Sequence, residues 1–144
     1  MKKSIQEQVD YMKSDIDIKD DVYKLIQKSE LKKAITGSVS KTKRPKDSYK
    51  EDVVISVLAN NISQRQEAFV VVNVYVKDDD VNGQNEECSS RLRTLCQICL
   101  SLFERVIGQD YRLSLSEYAG QKVIETDNDE HVISNKLLYQ TINE

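Results

Sequence analysis

Four small groups of residues have types and spacings that could do chemistry. Cys96-Gln97-Ile98-Cys99 has the two-residue spacing of a redox pair or half a zinc site. A redox pair works where the helix dipole at an N-terminus lowers a thiol pKa, but this pair falls inside a long helical pattern. A structural zinc ion needs four ligands. Beyond this pair the chain offers only Cys88 and its single histidine, His131. Three cysteines within twelve positions make no disulfide framework. They read as small apolar residues on the buried face of a helix, and reduced thiols fit synthesis in a cytoplasm.

Asp78-Asp79-Asp80-Val81-Asn82-Gly83 places Asp78, Asp80, Asn82 and Gly83 at positions 1, 3, 5 and 6 of a calcium-binding loop. Position 12 of such a loop supplies a bidentate Glu; here it is Ser89. Asp78, Asp80 and Asn82 therefore form a cation site lacking its strongest ligand, and a polar turn leading into a helix is the preferred reading. Asp127 and Asp129 flank Asn128 and are explained by turn chemistry. His131 has no cysteine or acidic partner at a recognisable spacing and reads as a structural or surface residue. The chain has no glycine-rich phosphate loop, no HExxH and no GxSxG. The expectation is a protein that is not an enzyme and uses no cofactor or metal.

The elements that would position these groups form one domain. A chain of 144 residues buries roughly 68–70% of its unfolded surface, so a core is possible without staples. It is a thin core, with 39% hydrophobic and 31% charged residues, two Phe and no Trp. Met1–Glu7 shows no secretory signal, and no apolar run is long enough to cross a bilayer. Charge is uneven: residues 1–50 hold 13 basic and 8 acidic groups, residues 51–144 hold 8 and 16. That dipolar pattern is unlike a nucleic-acid-binding domain and is compatible with head-to-tail association of copies.

Periodicity places the elements. Ile5, Val9 and Met12 mark a short surface helix or arm within residues 1–19. A helix capped by Asp20 or Asp21 carries Val22, Leu25, Ile26 and Leu31 and ends near Ile35, with Gly37 as a left-handed stop. Lys41, Lys43, Arg44, Lys46 and Lys50 form a basic loop around Pro45, read as solvated or partner-binding. Strands follow at 53–58 and 68–76, then a helix over 86–108 whose apolar stripe runs from Cys88 to Val106 and which Gly108 closes. Further strands cover 111–115, 122–125 and 131–142, the last with a bulge near Ser134-Asn135. The fold class is α+β: an antiparallel or mixed sheet, with the long amphipathic helix and the shorter N-terminal helix packed on it. Residues 20–144 make the single domain.

Within this order lie Val22-Tyr23-Lys24-Leu25-Ile26, Ile35-Thr36-Gly37, Arg44-Pro45, Glu51-Asp52-Val53-Val54-Ile55 and Val72-Asn73-Val74-Tyr75-Val76-Lys77-Asp78. Over roughly residues 20–142 the chain resembles the tail-terminator and head–tail joining (tail-completion) proteins of long-tailed bacteriophages and prophages. The resemblance implies a non-catalytic α+β subunit made in the bacterial cytoplasm and built into the virion. Such a subunit assembles as a ring, often a hexamer, against tail-tube and head-connector proteins, with no membrane and no specific nucleic acid as partner. From charge and exposure alone, Lys41, Lys43, Arg44, Lys46, Lys50, Asp78, Asp79 and Asp80 are the expected partner contacts. The alternatives are a cytoplasmic bacterial binding domain with no virion role, and a calcium-tuned or nucleic-acid-binding domain.

Overall fold

The structure, a computed structural model, describes residues 12–63, 65–118 and 120–142. Of the expected N-terminal apolar positions, Ile5 and Val9 therefore lie outside the described residues.

The first helix, α1 (Asp15–Gln27), starts earlier than its apolar stripe indicates. Its cap is Ser14, not Asp20 or Asp21. The Ser14 hydroxyl accepts from the Asp17 amide at 3.2 Å, and the Asp17 carboxylate accepts from the Ser14 amide at 3.0 Å. This reciprocal pair satisfies free backbone donors of the first turn. Asp15 and Asp17 also sit where the helix dipole favours negative charge. Ile18, Val22 and Ile26 form the buried stripe. The expected single helix to Ile35 is broken at Lys28–Ser29. The Ser29 amide and hydroxyl both donate to the Ile26 carbonyl, which ends α1 and opens α2 (Glu30–Ala34). Leu31 and Ile35 still reach the core.

The sheet is mixed. β1 (Val39–Ser40) runs parallel to β2 (Val53–Asn61), and every other pair is antiparallel. β3 (Glu67–Lys77) lies between β2 and β9 (Glu130–Thr141). The far side of β9 is shared: β8 (Gln121–Glu125) pairs with residues 131–135, and β7 (Tyr111–Leu115) with 137–141. β6 (Val106–Ile107) pairs with β7 beyond. The β3–β9 register is unbroken, so no bulge occurs at Ser134-Asn135. The polar interruption there marks the change of neighbour instead: Lys136 donates to Gly120 and accepts from Ser116, between the two pairings. The bulge is in β2, where Leu58 is the extra residue between Val57 and Ala59. The strand expected over 53–58 runs on through Asn60 and Asn61.

Alternation decides which face is core. Val70, Val72, Val74 and Val76 of β3 are buried under the helices, level with Leu137, Asn135 and Ile133 of β9. The second long helix, α3 (Ser89–Phe103), buries Leu92, Leu95, Cys99 and Phe103 against β9 and β7, while α1 covers β2. These side chains and the β3 valines belong to one apolar core. The helix is shorter than its stripe: Cys88 is its N-cap, and residues 106–107 leave it to pair with β7, so Gly108 does not close it. Two short strands, β4 (Asp79–Val81) and β5 (Gln84–Glu86), make a hairpin between β3 and α3. Asn82 and Gly83 both have positive φ at its tip, as a two-residue hairpin turn requires. Among the described residues, no helix is long and apolar enough to cross a membrane.

Gly37 is needed for closeness rather than for a left-handed backbone. Its amide donates to the Glu51 carbonyl, and an added Cβ would lie 2.2 Å from Asp52 Oδ1 and 2.7 Å from Glu51 O. Gly37→Ala is expected to lower stability by about 1–3 kcal/mol, whereas Leu100→Ala on the exposed side of α3 shifts it by less than about 0.5 kcal/mol. Urea denaturation of the two variants at neutral pH checks the difference.

Candidate functional site

The polar residues converge at one end of the sheet, where β2 and β9 begin and β3 ends. Residues 41–50, between β1 and β2, cross this end on the face away from the helices. Arg44 anchors the crossing. Its Nε donates to Asp52 Oδ2 at 2.7 Å, and its two terminal nitrogens donate to the Glu130 carboxylate at 2.7 and 2.6 Å. A fourth bond, at 2.6 Å, reaches the Lys50 carbonyl. The guanidinium lies 4.3 Å from the Tyr75 ring centroid, a cation–π contact. One cation thus joins Asp52 before β2, Tyr75 in β3 and Glu130 in β9. Both carboxylate side chains are nearly inaccessible, at 2% and 3% exposed.

The electrostatics follow from these contacts. Glu130 above all, with Asp52, holds the Arg44 pKa above its ordinary value against the opposing effect of burial. Burial works against ionising Asp52, but hydrogen bonds from the Ser48 hydroxyl, Arg44 and the Ser38 amide outweigh it and keep its carboxyl below the usual range. Alongside, Arg91 of α3 grips Glu51 with two bonds of 2.6 and 2.7 Å and also donates to the Ala34 carbonyl. The strap, the start of β2 and the helical layer are therefore tied together.

This corrects the reading of two expected contact residues. Arg44 is not a free loop cation, because two buried carboxylates require it. Asp78 is not an open turn residue: its carboxylate lies 2.6 Å from His131 Nδ1, and its side chain is 6% exposed. Nor is His131 alone; its acidic partner is 53 residues away in sequence, beyond any local spacing. Asp80 Oδ1 accepts from the Gly83 amide within the hairpin. The carboxylates of the calcium-like pattern are thus turned to separate partners, and no group of three His, Cys, Asp or Glu comes together among the described residues. Lys41 donates to Asp20 at 2.8 Å and sits over the Tyr23 ring. Lys43, Lys46, Lys50, Asp79 and Asp80 are exposed, as are Asp127 and Asp129 in the turn before β9.

The cysteine pair lies inside α3. Burial pushes the Cys99 thiol up to about 12 and raises that of Cys96, which opposes thiolate chemistry. A second polar cluster, not expected from the sequence, joins α1 to the sheet. Lys13 pairs with Asp21 at 2.6 Å and Asp110 at 2.9 Å. The Tyr139 hydroxyl donates to Asp21, and the Tyr139 ring stacks on Tyr111. The buried Gln66 bonds both the amide and the carbonyl of Lys13. These roles are structural, and the partners lie in distant segments, so no local pattern signalled them.

No protein-family model matches the chain, and no curated protein matches it either. What the geometry shows is a strongly charged end of the sheet. A rigid basic strap lies on one side of this end of the sheet. On the other side stand the acidic 125–129 turn and the β4–β5 hairpin.

Two outcomes test the strap. Arg44→Ala leaves two buried carboxylates unpaired and is expected to cost about 3–5 kcal/mol, while adding Asp52→Asn and Glu130→Gln recovers much of the loss; denaturant midpoints measure both. The Asp52 carboxyl has a lower pKa folded than unfolded. Its contribution is therefore complete above its unfolded value of about 4 and is lost as pH falls through the folded value. The stability difference between the natural chain and Asp52→Asn should accordingly narrow below about pH 4 in a pH series of urea titrations.

Proposed function

We propose that this protein is a structural subunit of a bacteriophage or prophage particle. In this reading it is a tail-terminator or head–tail joining protein that works by closing into a ring with its own copies. The observation that carries the reading is how the sheet ends. On one flank β1 has a partner only on its inner side, and β2 beyond Val54 has none outside it; on the other flank β6 and β8 each pair with a single neighbour, all among the described residues. An unpaired strand presents a row of backbone donors and acceptors that another chain can complete.

The two flanks differ from each other, which favours a head-to-tail contact over a two-fold one. Such a contact, repeated through a fixed rotation, closes a ring. Exposed apolar side chains on the flanks give the contact area to bury: Leu58 at the β2 bulge, Ile107 in β6, Val123 and Ile124 in β8. The groups able to do chemistry are engaged within the subunit, as Arg44 and His131 are, which suits a protein whose work is geometric. The order of helices and strands supports the same resemblance. The partners in this reading are the tail-tube and head-connector rings, and the site of action is the virion.

Mass photometry across a concentration series tests the proposal. The expected result is a closed species, about 100 kDa for six copies of a 16.6 kDa chain, with annular particles in negative-stain micrographs. A chain that stays monomeric at high concentration and also fails to bind purified phage tails would instead fit a binding domain with no place in a virion.

A further inference from the structure

We infer that the joint between copies is a continued sheet, in which β8 of one copy lies antiparallel to β1 of the next, with the basic strap of one copy against the acidic turn of the other. This deepens the ring reading and rests on it.

Direction and level come from the register. Val39, Val53, Val74, Ile133 and Val123 form one row across β1, β2, β3, β9 and β8. β1 and β8 are thus the two ends of the same row, at the same height along the strands. β1 and β2 run away from the strap end of the sheet, whereas β8 runs toward it. Two copies set side by side in the same orientation therefore bring β8 against β1 antiparallel, without a shift along the strand axis. The antiparallel ladder is the pairing that needs no further connection and is slightly the more stable per residue.

Charge matches at the same height. Lys43, Lys46 and Lys50 of the strap between β1 and β2 are exposed at the strap end. They take no ion-pair partner among the described residues, in contrast to Arg44 and Lys41. On the β8 flank at that same end stand Glu125, Asp127 and Asp129, exposed and likewise outside every ion pair among the described residues. Each flank repels its own kind and attracts the other, which selects the head-to-tail joint against a two-fold one.

Val123 points to the helix side of the sheet, level with Ile133, and is exposed at the open edge, where a strand paired to β8 would cover it.

Zero-length carbodiimide coupling of an equal mixture of isotope-labelled and unlabelled full-length chain tests the joint. Mass spectrometry is expected to find mixed-isotope links between Lys43, Lys46 or Lys50 and Glu125, Asp127 or Asp129. Two charge-reversed chains, K43E/K46E/K50E and E125K/D127K/D129K, give a second measure. Each alone should show about tenfold less oligomer than the natural chain at the same concentration, the size expected of a few exposed pairs, and mixing them should restore it. Circular dichroism confirms that both fold, since all six positions are exposed. Oligomers whose mixed links lie elsewhere, or that survive both reversals, overturn the joint and leave the ring reading standing. A natural chain that yields only monomer, with no mixed links even on phage tails, overturns both.

Discussion

The structure depends on one cation placed among three strands. Asp52 and Glu130 are almost fully removed from water at the end of the sheet, where two like charges would oppose folding. The Arg44 guanidinium lies between them with Tyr75 beside it. Its planar fork offers donors to both carboxylates and to a backbone carbonyl at once, a geometry that lysine cannot reproduce. The loop from β1 to β2 is thereby a fixed strap. Pro45, next to the anchor, further limits its backbone.

That constraint shapes what the surface offers. With Arg44 turned inward, the remaining lysines of the strap point outward from a rigid base. With Asp78 held by His131, the β4–β5 hairpin leaves β3 from a fixed root. The same end of the sheet thus carries a basic strap and an acidic turn, joined within the subunit only through Arg44 and Glu130 among the described residues, while Lys43, Lys46 and Lys50 and the turn residues Glu125, Asp127 and Asp129 stay exposed. The charge asymmetry between the two halves of the chain becomes a spatial one. In the proposed ring, unlike flanks of neighbouring copies would meet, next to strands that have no outer partner among the described residues.

The apolar layer is modest and is compensated by polar ties. Valine and leucine side chains fill the space between sheet and helices, with Phe103 and Tyr139 as its large members. Around it, Arg91 with Glu51, Lys13 with Asp21 and Asp110, and Gln66 with Lys13 fasten the helices to the strands. A thin core is in this way fixed at its periphery, while Leu58, Ile107, Val123 and Ile124 stay exposed on the flanks.

How much of this was legible beforehand follows from the range of each interaction. The alternation of Val70, Val72, Val74 and Val76 and the stripe of Leu92, Leu95, Cys99 and Phe103 were readable, because strand and helix geometry impose those periods on neighbouring residues. Boundaries were less so: Ser14 capping α1, Ser29 ending it and residues 106–107 leaving α3 depend on single hydrogen bonds and on a strand partner. The site itself was hidden. Arg44 and Glu130 are 86 positions apart and His131 and Asp78 are 53, so residues that looked like free loop charges and a solitary histidine proved to be paired. The sequence by itself determined which residues face inward, since that is a local matter of backbone period. Only the tertiary structure decided which charges are spent and which remain free, because strand order and register alone bring distant side chains within reach of one another.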